Sequence, residues 1–293
     1  MNGVIVVDKP AGWTSHDVVN RIRRLADTKK VGHLGTLDPM ATGVLPLLLN
    51  RATRLAQFFT ANEKTYEGTI RFGFATDTYD AEGEAAGEKT EAAMSREEAE
   101  RVLARFRGTF EQVPPPVSAK KIQGRPAYEL ARKNIEVELK PVTVTVHELT
   151  VLAVEGCDVK VRVRTSAGTY VRSIAHDAGL ALGCGAHLAA LRRVMSGAFH
   201  IGQARTLEEL GALAGEGALE KALIPASELL PEIPCELVDQ LTESQIRQGR
   251  DFRVSPFRDR GNARLVKAIN ANGELVAVGV AKLPNVYHPE VVL

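Results

Sequence analysis

The chain is poor in cysteine and in net charge. It has three cysteines in 293 residues, Cys157, Cys184 and Cys235, and no two of them form a CxxC pair. This spacing argues against a disulfide framework and a thiolate zinc site, and it suits a reducing compartment. Lysine and arginine total 37 against 36 acidic residues, so the formal charge is +1. The overall charge therefore gives no indication for or against a nucleic-acid partner.

Long hydrophobic runs are also absent. The longest apolar stretches, such as residues 44–49, fall far short of the roughly 20 residues that span a bilayer. The first ten residues have no basic segment before their short apolar stretch, so they do not resemble a signal peptide. We therefore expect a protein without membrane spans, in the cytoplasm.

Sequence motifs for cofactors and metals are missing as well. The chain has no GxxxxGK[ST], GxGxxG or GxSxG string, which removes the usual support for nucleotide hydrolysis, dinucleotide chemistry and an α/β-hydrolase nucleophile. Its seven histidines form no HExxH motif and show no spacing typical of metal ligands. We expect neither a cofactor nor a metal site.

What is present is the composition of a folded protein with mixed secondary structure. Hydrophobic residues make up 44% of the chain and charged residues 25%, which rules out disorder and fibrous repeats. Alternating or apolar runs predict strands at residues 4–7, 64–74, 142–154 and 159–165. Capping residues and helical spacing predict helices after Thr14 or Ser15, after Ser95 and after Tyr170, and a further short helix carrying Leu188, Leu191, Arg192 and Arg193.

A change of pattern near residue 225 predicts a domain boundary. The dipeptides Ile-Pro, Leu-Pro and Ile-Pro follow one another between residues 224 and 234, as in a connector. Beyond them, one short helix at 241–248 and strands at 264–269 and 275–282 predict a small β-rich domain. Arginine is concentrated in this part of the chain, which indicates a local basic surface.

The segment with the most unusual chemistry is residues 32–46, GHLGTLDPMATGVLP, whose composition predicts a loop from 31 to 43. Asp38 stands among glycines and apolar residues with Pro39 behind it, which suits a carboxylate held rigidly at a cavity wall. The local pattern alone favours a turn or helix cap instead. A carboxylate can act as a covalent nucleophile, and a partly desolvated one needs a nearby cation, for which Arg172 is a candidate.

Taken together, the motifs closely resemble those of the TruB-type transfer-RNA pseudouridine synthases. The matching strings occur in the family's order over most of residues 3–200, and so many in sequence are very specific. They are residues 8–15 (DKPAGWTS), 32–46, 64–66 (KTY), 76–84 (TDTYDAEGE), 114–120 (PPPVSAK), 127–132 (AYELAR), 168–173 (GTYVRS) and 191–193 (LRR).

The resemblance implies roles for individual residues. Asp38 corresponds to the nucleophile, Tyr66 to the ring that stacks on the target uracil, and Arg172 to the ionic partner of Asp38. Tyr66 could instead be a strand tyrosine, and Arg172 a phosphate contact. The resemblance also implies substrate-binding residues, for which core packing is the alternative: His33, Tyr170 and Leu191. It further implies supporting residues near the catalytic loop: Lys9, Pro10 and Asp80.

The resemblance also implies a fold and an activity. We expect an α+β catalytic domain at 1–230, built on a mixed, largely antiparallel sheet flanked by helices and loops, and a β-rich PUA-like RNA-binding domain at 231–293. The enzyme, an isomerase, would convert the uridine at position 55 in the T loop of tRNA to pseudouridine, with base flipping. The tRNA T stem-loop would be the partner, bound partly through the strand at 160–164, with no obligatory protein partner.

Three alternatives remain open at this point. The first is a noncatalytic protein that binds or folds tRNA, and the intact set of Asp38, Tyr66 and Arg172 argues against it. The second is an unrelated hydrolase such as a phosphatase, but Met40 stands where a second acid would be expected. The third is a pseudouridine synthase with a different RNA target.

Overall fold

The computed structural model describes residues 1–90, 93–117, 121–122, 125–126, 140–256 and 263–293. The motif at 127–132 and part of the motif at 114–120 lie outside the described residues, as do Arg258 and Arg260 of the basic C-terminal part. Within the described ranges, no helix is both long and apolar enough to cross a membrane.

A mixed, largely antiparallel sheet of ten strands forms the larger part of the fold. Its central path runs β14-β1-β3-β12-β4-β11-β10-β7, β2 pairs with β3, and β13 pairs with β12. Only the β12–β3 pairing is parallel among its described ladders. The strands are β1 (Gly3–Lys9), β2 (Val31–His33), β3 (Thr42–Leu49), β4 (Lys64–Phe72), β5 (Ala75–Thr76), β6 (Ala85–Ala86), β7 (Gly108–Gln112), β8 (Lys121–Ile122), β9 (Arg125–Pro126), β10 (Val142–Glu155), β11 (Asp158–Thr165), β12 (Ala186–Ser196), β13 (Phe199–His200) and β14 (Leu223–Pro225), of which β5–β6 and β8–β9 form separate two-stranded ribbons.

Helices cover parts of this sheet, and several begin at the capping residues that the sequence predicts. Thr14 and Ser95 each form a capping box with the acid three residues later. The α-helices are α1 (Ser15–Leu25), α2 (Arg96–Leu103), α3 (Val171–Leu182), α4 (Leu207–Gly215) and α5 (Gln240–Arg247). Short 3₁₀ helices occupy Asn50–Phe59, Ala104–Phe106, Ile201–Gln203, Leu219–Ala222 and Ala226–Glu228.

Two elements differ from the sequence-based expectation. The prediction of a short helix at Leu188–Arg193 is wrong, because these residues lie in β12. A bulge between Leu188 and Ala190 places Leu188 opposite Ile70 and Leu191 opposite Gly68, so two leucines three residues apart share one face. Their spacing therefore imitates a helix. The loop predicted at 31–43 is also shorter than expected, since its ends belong to β2 and β3.

The apolar run in β1 is explained by burial on both faces. Ile5 and Val7 pack in a core cluster with α1 and α3, whereas Val4 and Val6 pack on the opposite side. That second cluster includes side chains of the 3₁₀ helix Asn50–Phe59 and of the C-terminal strands described next. A strand buried on both faces loses the usual alternation of polar and apolar residues.

The C-terminal part forms a second sheet of five strands in the order β15-β17-β18-β19-β16. Its strands are β15 (Cys235–Leu237), β16 (Phe252–Arg253), β17 (Leu265–Ile269), β18 (Leu275–Leu283) and β19 (Val286–Val292). The α+β class with a β-rich C-terminal part is thus confirmed. The domain boundary at 230/231 and the PUA-like assignment stay predictions.

Candidate active site

Asp38 lies in the loop between β2 and β3, and the start of α1 holds this loop in place. The Ser15 hydroxyl donates to the Leu37 carbonyl at 3.0 Å and accepts from the Leu37 amide at 2.9 Å. The Gly12 amide donates to the Pro39 carbonyl at 2.9 Å. Backbone on both sides of Asp38 is therefore tied to the segment that follows β1.

Lys9 joins the Asp38 loop to the segment that follows β1. Its buried ammonium donates to the carbonyls of Pro10 and Pro39, each at 3.0 Å, and to the carbonyl of Trp13. Three backbone acceptors from two loops thus converge on one cation. Burial lowers the pKa of Lys9 to about 8, while the negative charge of Asp38 acts in the opposite direction.

Arg172 stands at the start of α3 and bridges two carboxylates. Its Nε lies 2.9 Å from Oδ2 of Asp38, and its Nη1 lies 3.1 Å from Oδ2 of Asp80. The same guanidinium donates to the carbonyls of Thr78 and Val117 at 3.1 and 3.0 Å. Only 5% of the Arg172 side chain is exposed, against 33% for Asp38. The pairing leaves the Asp38 carboxylate as the accessible end of a buried charge array.

Asp80 is fixed by its own turn before it meets Arg172. Its Oδ1 accepts from the Thr78 hydroxyl at 2.6 Å and from the Glu82 amide at 3.0 Å. Asp80 also forms an isolated bridge to Leu188 of β12. These bonds orient the second oxygen towards Arg172, so Asp80 positions the arginine that pairs with Asp38.

The electrostatic balance at Asp38 has a clear direction. Burial raises the pKa of Asp38 above its ordinary value, the Arg172 charge opposes this increase, and the Asp80 charge adds to it. Arg172 is thus the stronger of two cations, with Lys9, that favour the ionised form of Asp38. Asp80 holds Arg172 in place, but its own charge disfavours ionisation of Asp38.

A cavity of about 530 Å³ opens beside Asp38. Its wall includes Tyr66 of β4, which is 9% exposed, Tyr170 at the start of α3, and Leu191 of β12. The Tyr170 backbone amide donates to the side-chain oxygen of Gln112 at 2.8 Å, which fixes this corner to β7. Five residues singled out from the sequence therefore meet at one cavity: Asp38, Tyr66, Tyr170, Arg172 and Leu191.

The other four residues singled out from the sequence do not line this cavity. Lys9 donates to the Pro10 carbonyl, and Asp80 accepts from Arg172, so these three residues contact the groups that hold Asp38 in place. His33 lies at the end of β2, and its Nδ1 is buried without a hydrogen-bond partner. Burial and the nearby charge of Arg193 lower the pKa of His33. Among the described residues, no cluster of three His, Cys, Asp or Glu side chains could hold a metal ion.

Arg193 is a site residue that the sequence analysis did not assign. It is 1% exposed, and it donates to the carbonyls of Val44, Thr36 and Gly35 at 2.7, 3.3 and 3.0 Å. Its side chain also lines the cavity. The adjacent Arg192 and Arg193 in an otherwise apolar segment could have indicated a buried cation. The spacing of the leucines predicted a helix there instead.

The basic face of the β10–β11 hairpin, expected to contact RNA, is neutralised in the structure. Lys160 pairs with Glu155 at 2.7 Å, Arg162 with Glu67 at 3.0 Å, and Arg164 with Glu63 at 2.7 Å. These cations already have partners, because β4, the residue before it and the end of β10 supply acids that the local sequence of β11 does not show.

Two solved structures share the fold of this chain. A solved Cbf5-Nop10-Gar1 complex matches 97% of this chain and 79% of its own with 31% identity and a TM-score of 0.70. An H/ACA RNP bound to a substrate RNA containing 2′-deoxyuridine matches 99% of this chain and 84% of its own with 29% identity and a TM-score of 0.71. The fold is therefore that of the Cbf5 pseudouridine synthases.

Family models and curated relatives narrow this class. Residues 23–171 match the N-terminal domain of the TruB family pseudouridylate synthases, and residues 172–231 match the tRNA pseudouridylate synthase B C-terminal domain. The tRNA pseudouridine synthase B of Solibacter usitatus is 60% identical over all of both chains. That of Paenarthrobacter aurescens is 44% identical over 95% of this chain and 91% of its own. The chain belongs to the TruB family of pseudouridylate synthases and is an enzyme of the isomerase class.

Proposed function

We propose that this enzyme converts a uridine in the T loop of tRNA, at position 55, to pseudouridine, with Asp38 as the nucleophile. The relatives named tRNA pseudouridine synthase B support tRNA as the substrate. The observation that carries the role of Asp38 is its ion pair with Arg172 at the wall of the cavity. An ionised carboxylate that is both oriented and accessible is the form a nucleophile needs.

The reaction exchanges an N–C glycosidic bond for a C–C bond and consumes no other reactant. The uracil must leave the ribose, turn, and rejoin through carbon 5 without escaping. Asp38 can attack the anomeric carbon of the ribose, attack carbon 6 of the ring, or assist loss of a ribose proton. Each route needs an enclosed site, and a cavity of about 530 Å³ is within the size range of small-ligand pockets.

A base in a folded RNA loop reaches Asp38 only when it leaves its stack, so we propose that the target uridine is flipped into the cavity. Tyr66 offers an aromatic surface for the uracil, and Tyr170 and Leu191 form the neighbouring walls. His33 lies outside this wall, so its proposed role concerns the path of the base and not contact within the cavity.

Lys9, Pro10 and Asp80 act as positioning residues in this proposal. Lys9 ties the Pro39 carbonyl, one residue after Asp38, to the carbonyls of Pro10 and Trp13. Asp80 holds the guanidinium of Arg172 through a nitrogen that Asp38 does not use. Preorganisation of this kind keeps the carboxylate in one geometry without contact with substrate.

The surface around α1 and β2 supports binding of the RNA backbone. Arg24, Lys29, Lys30 and Arg51 are exposed, and none forms an ion pair with an acid in the described parts of the chain. Free exposed cations can neutralise phosphates, whereas those of the β10–β11 hairpin must first leave their acids. We propose that this surface carries more of the RNA contact than the hairpin, together with the PUA-like region 231–293.

The test is tritium release from a T-loop transcript labelled at carbon 5 of uridine, with RNA binding measured in parallel. We expect the intact enzyme to release tritium and Asp38→Asn to bind RNA without releasing it. Glu97→Gln is the matched control, because Glu97 is exposed on α2 and lies outside both the cavity and the surface around α1 and β2. It should retain full activity.

A second substrate separates the alternatives. A transcript with cytidine at position 55 should give no release, and release from it would indicate a different target uridine. An intact enzyme that binds the T-loop transcript but releases no tritium would instead indicate a noncatalytic RNA-binding protein.

A further inference from the structure

The cavity contains two cations that the proposed chemistry does not use. Lys64, at the start of β4, and Arg193, in β12, both line it. A methyl group built on Gly35 would lie 3.6 Å from Nη1 of Arg193 and 3.8 Å from Cε of Lys64. The two side chains therefore flank the same small residue, three positions before Asp38.

Neither cation has an acidic partner among the described residues. Arg172 and Asp38 form the ion pair at this cavity, but no carboxylate lies within ion-pair distance of Lys64 or Arg193 in those ranges. Arg193 directs its donors to three backbone carbonyls, so it is held rigidly. Lys64 donates to the Asn62 carbonyl, which occupies one of the three donors of its ammonium.

Two like charges in a partly desolvated wall raise the free energy of the empty site. Burial and the charge of Arg193 both lower the pKa of Lys64, which is the expected effect of such an arrangement. An anion beside Lys64 would relieve both the desolvation and the repulsion. A neutral ligand would relieve neither.

We propose that Lys64 binds a phosphate of the substrate strand, one of the two that flank the target uridine, and that Arg193 reinforces the positive potential behind it. The inference rests on the proposed function, because a uridine inserted into the cavity brings its own 5′ and 3′ phosphates to the wall. A uracil carbonyl is the competing ligand for Lys64, but it carries no charge and would leave the repulsion between Lys64 and Arg193 unrelieved. Lys64 would thus fix the strand while Asp38 acts on the sugar or base.

The experiment tests whether Lys64 contacts one particular phosphate, by measuring the affinity of the enzyme for T stem-loop RNAs. In each RNA, one linkage flanking the target uridine, either 5′ or 3′, is a neutral methylphosphonate. We expect one of these RNAs to bind the intact enzyme about tenfold or more weakly, as for loss of a charge-assisted hydrogen bond. Lys64→Met should bind the native RNA about as weakly, with no further loss for that neutral linkage.

Two further variants complete the design. Lys64→Arg keeps a cation and should retain most of the affinity, which separates loss of charge from disturbance of β4. Lys221→Met is the matched control, since Lys221 is exposed and does not line the cavity, and it should show the same loss as the intact enzyme with the neutral linkage. For Lys64→Met, the dependence of binding on salt should also weaken by about one phosphate contact.

The proposal is overturned if each neutral linkage lowers the RNA affinity of Lys64→Met as much as it lowers that of the intact enzyme. It is also overturned if Lys64→Met binds native RNA normally and loses only the rate of tritium release, since Lys64 would then contact the base. Failure of the proposed function is a separate result: the intact enzyme would release no tritium at all, whereas the coupling is read from binding alone.

Discussion

Replacement of Arg172 by lysine tests the charge array most directly. Arginine contacts Asp38 and Asp80 through two different nitrogens and two carbonyls through the same group. Lysine keeps the positive charge but has one nitrogen, so it cannot maintain both carboxylate contacts in this geometry. The variant therefore changes the orientation of Asp38 while it leaves the total charge of the cavity wall unchanged.

The expected magnitude follows from the lost contact. A charge-assisted contact contributes about 1.5–3 kcal/mol, and about 1.4 kcal/mol corresponds to a tenfold change in rate. If Asp38 loses this contact, kcat/KM for tritium release should fall about 10- to 150-fold. RNA affinity should change little, because Arg172 is 4% exposed and already bonded within the protein.

The pH profile supplies a second readout that a merely structural defect would not produce. In the proposed mechanism, activity requires ionised Asp38, whose pKa is raised by burial and by Asp80 and lowered by Arg172. A weaker contact with the cation should raise this pKa further, so the acid limb of kcat/KM should move to higher pH in Arg172→Lys. Asp80→Asn removes a negative neighbour and should move the acid limb to lower pH.

Arg96→Lys is the matched control for Arg172→Lys, because Arg96 is exposed and pairs with Glu100 on the surface of α2. It should have the activity and the pH profile of the intact enzyme. Full activity of Arg172→Lys, or a shift of the acid limb in the same direction for Arg172→Lys and Asp80→Asn, would refute the assigned balance of charges.

Two further predictions concern stability. Folding lowers the pKa of Lys9 from its ordinary value of 10.5 to about 8, so the unfolded state binds more protons between these pH values. The free energy of unfolding should therefore rise with pH in this range. In urea titrations at several pH values, Lys9→Met should lose this rise, and an unchanged rise would contradict the prediction. Gly43 has a φ of 100°, and a Cβ there would clash with the Arg193 carbonyl oxygen, so Gly43→Ala should cost about 2–5 kcal/mol in the same assay. Gly87→Ala, with a similar φ of 97° and open space, should cost clearly less, and equal losses would refute the steric argument.

Local elements were predictable where the deciding contacts are local. The helix after Thr14 and the β10–β11 hairpin follow from a capping residue with helical spacing and from alternation, which act over a few residues. The strand at Leu188–Leu191 was not predictable in this way. Its bulge is defined by pairing with β4, more than 100 residues earlier in the chain, and pairing at that distance leaves no regular period in the sequence.

By itself, the sequence determined the family, the motif around Asp38 and most of the residues proposed for the site, because motifs are read along the chain. Lys64 and Arg193 were not among those residues. Apart from the pair of Asp38 and Arg172, which the resemblance implied, only the tertiary structure decided which charges meet. Arg172 lies 92 residues from Asp80, and the acids that pair with Arg162 and Arg164 come from β4 and the residue before it. The same folding places Lys64 and Arg193 beside the cavity with no acidic partner among the described residues, since electrostatic energy depends on separation in space and on access to water.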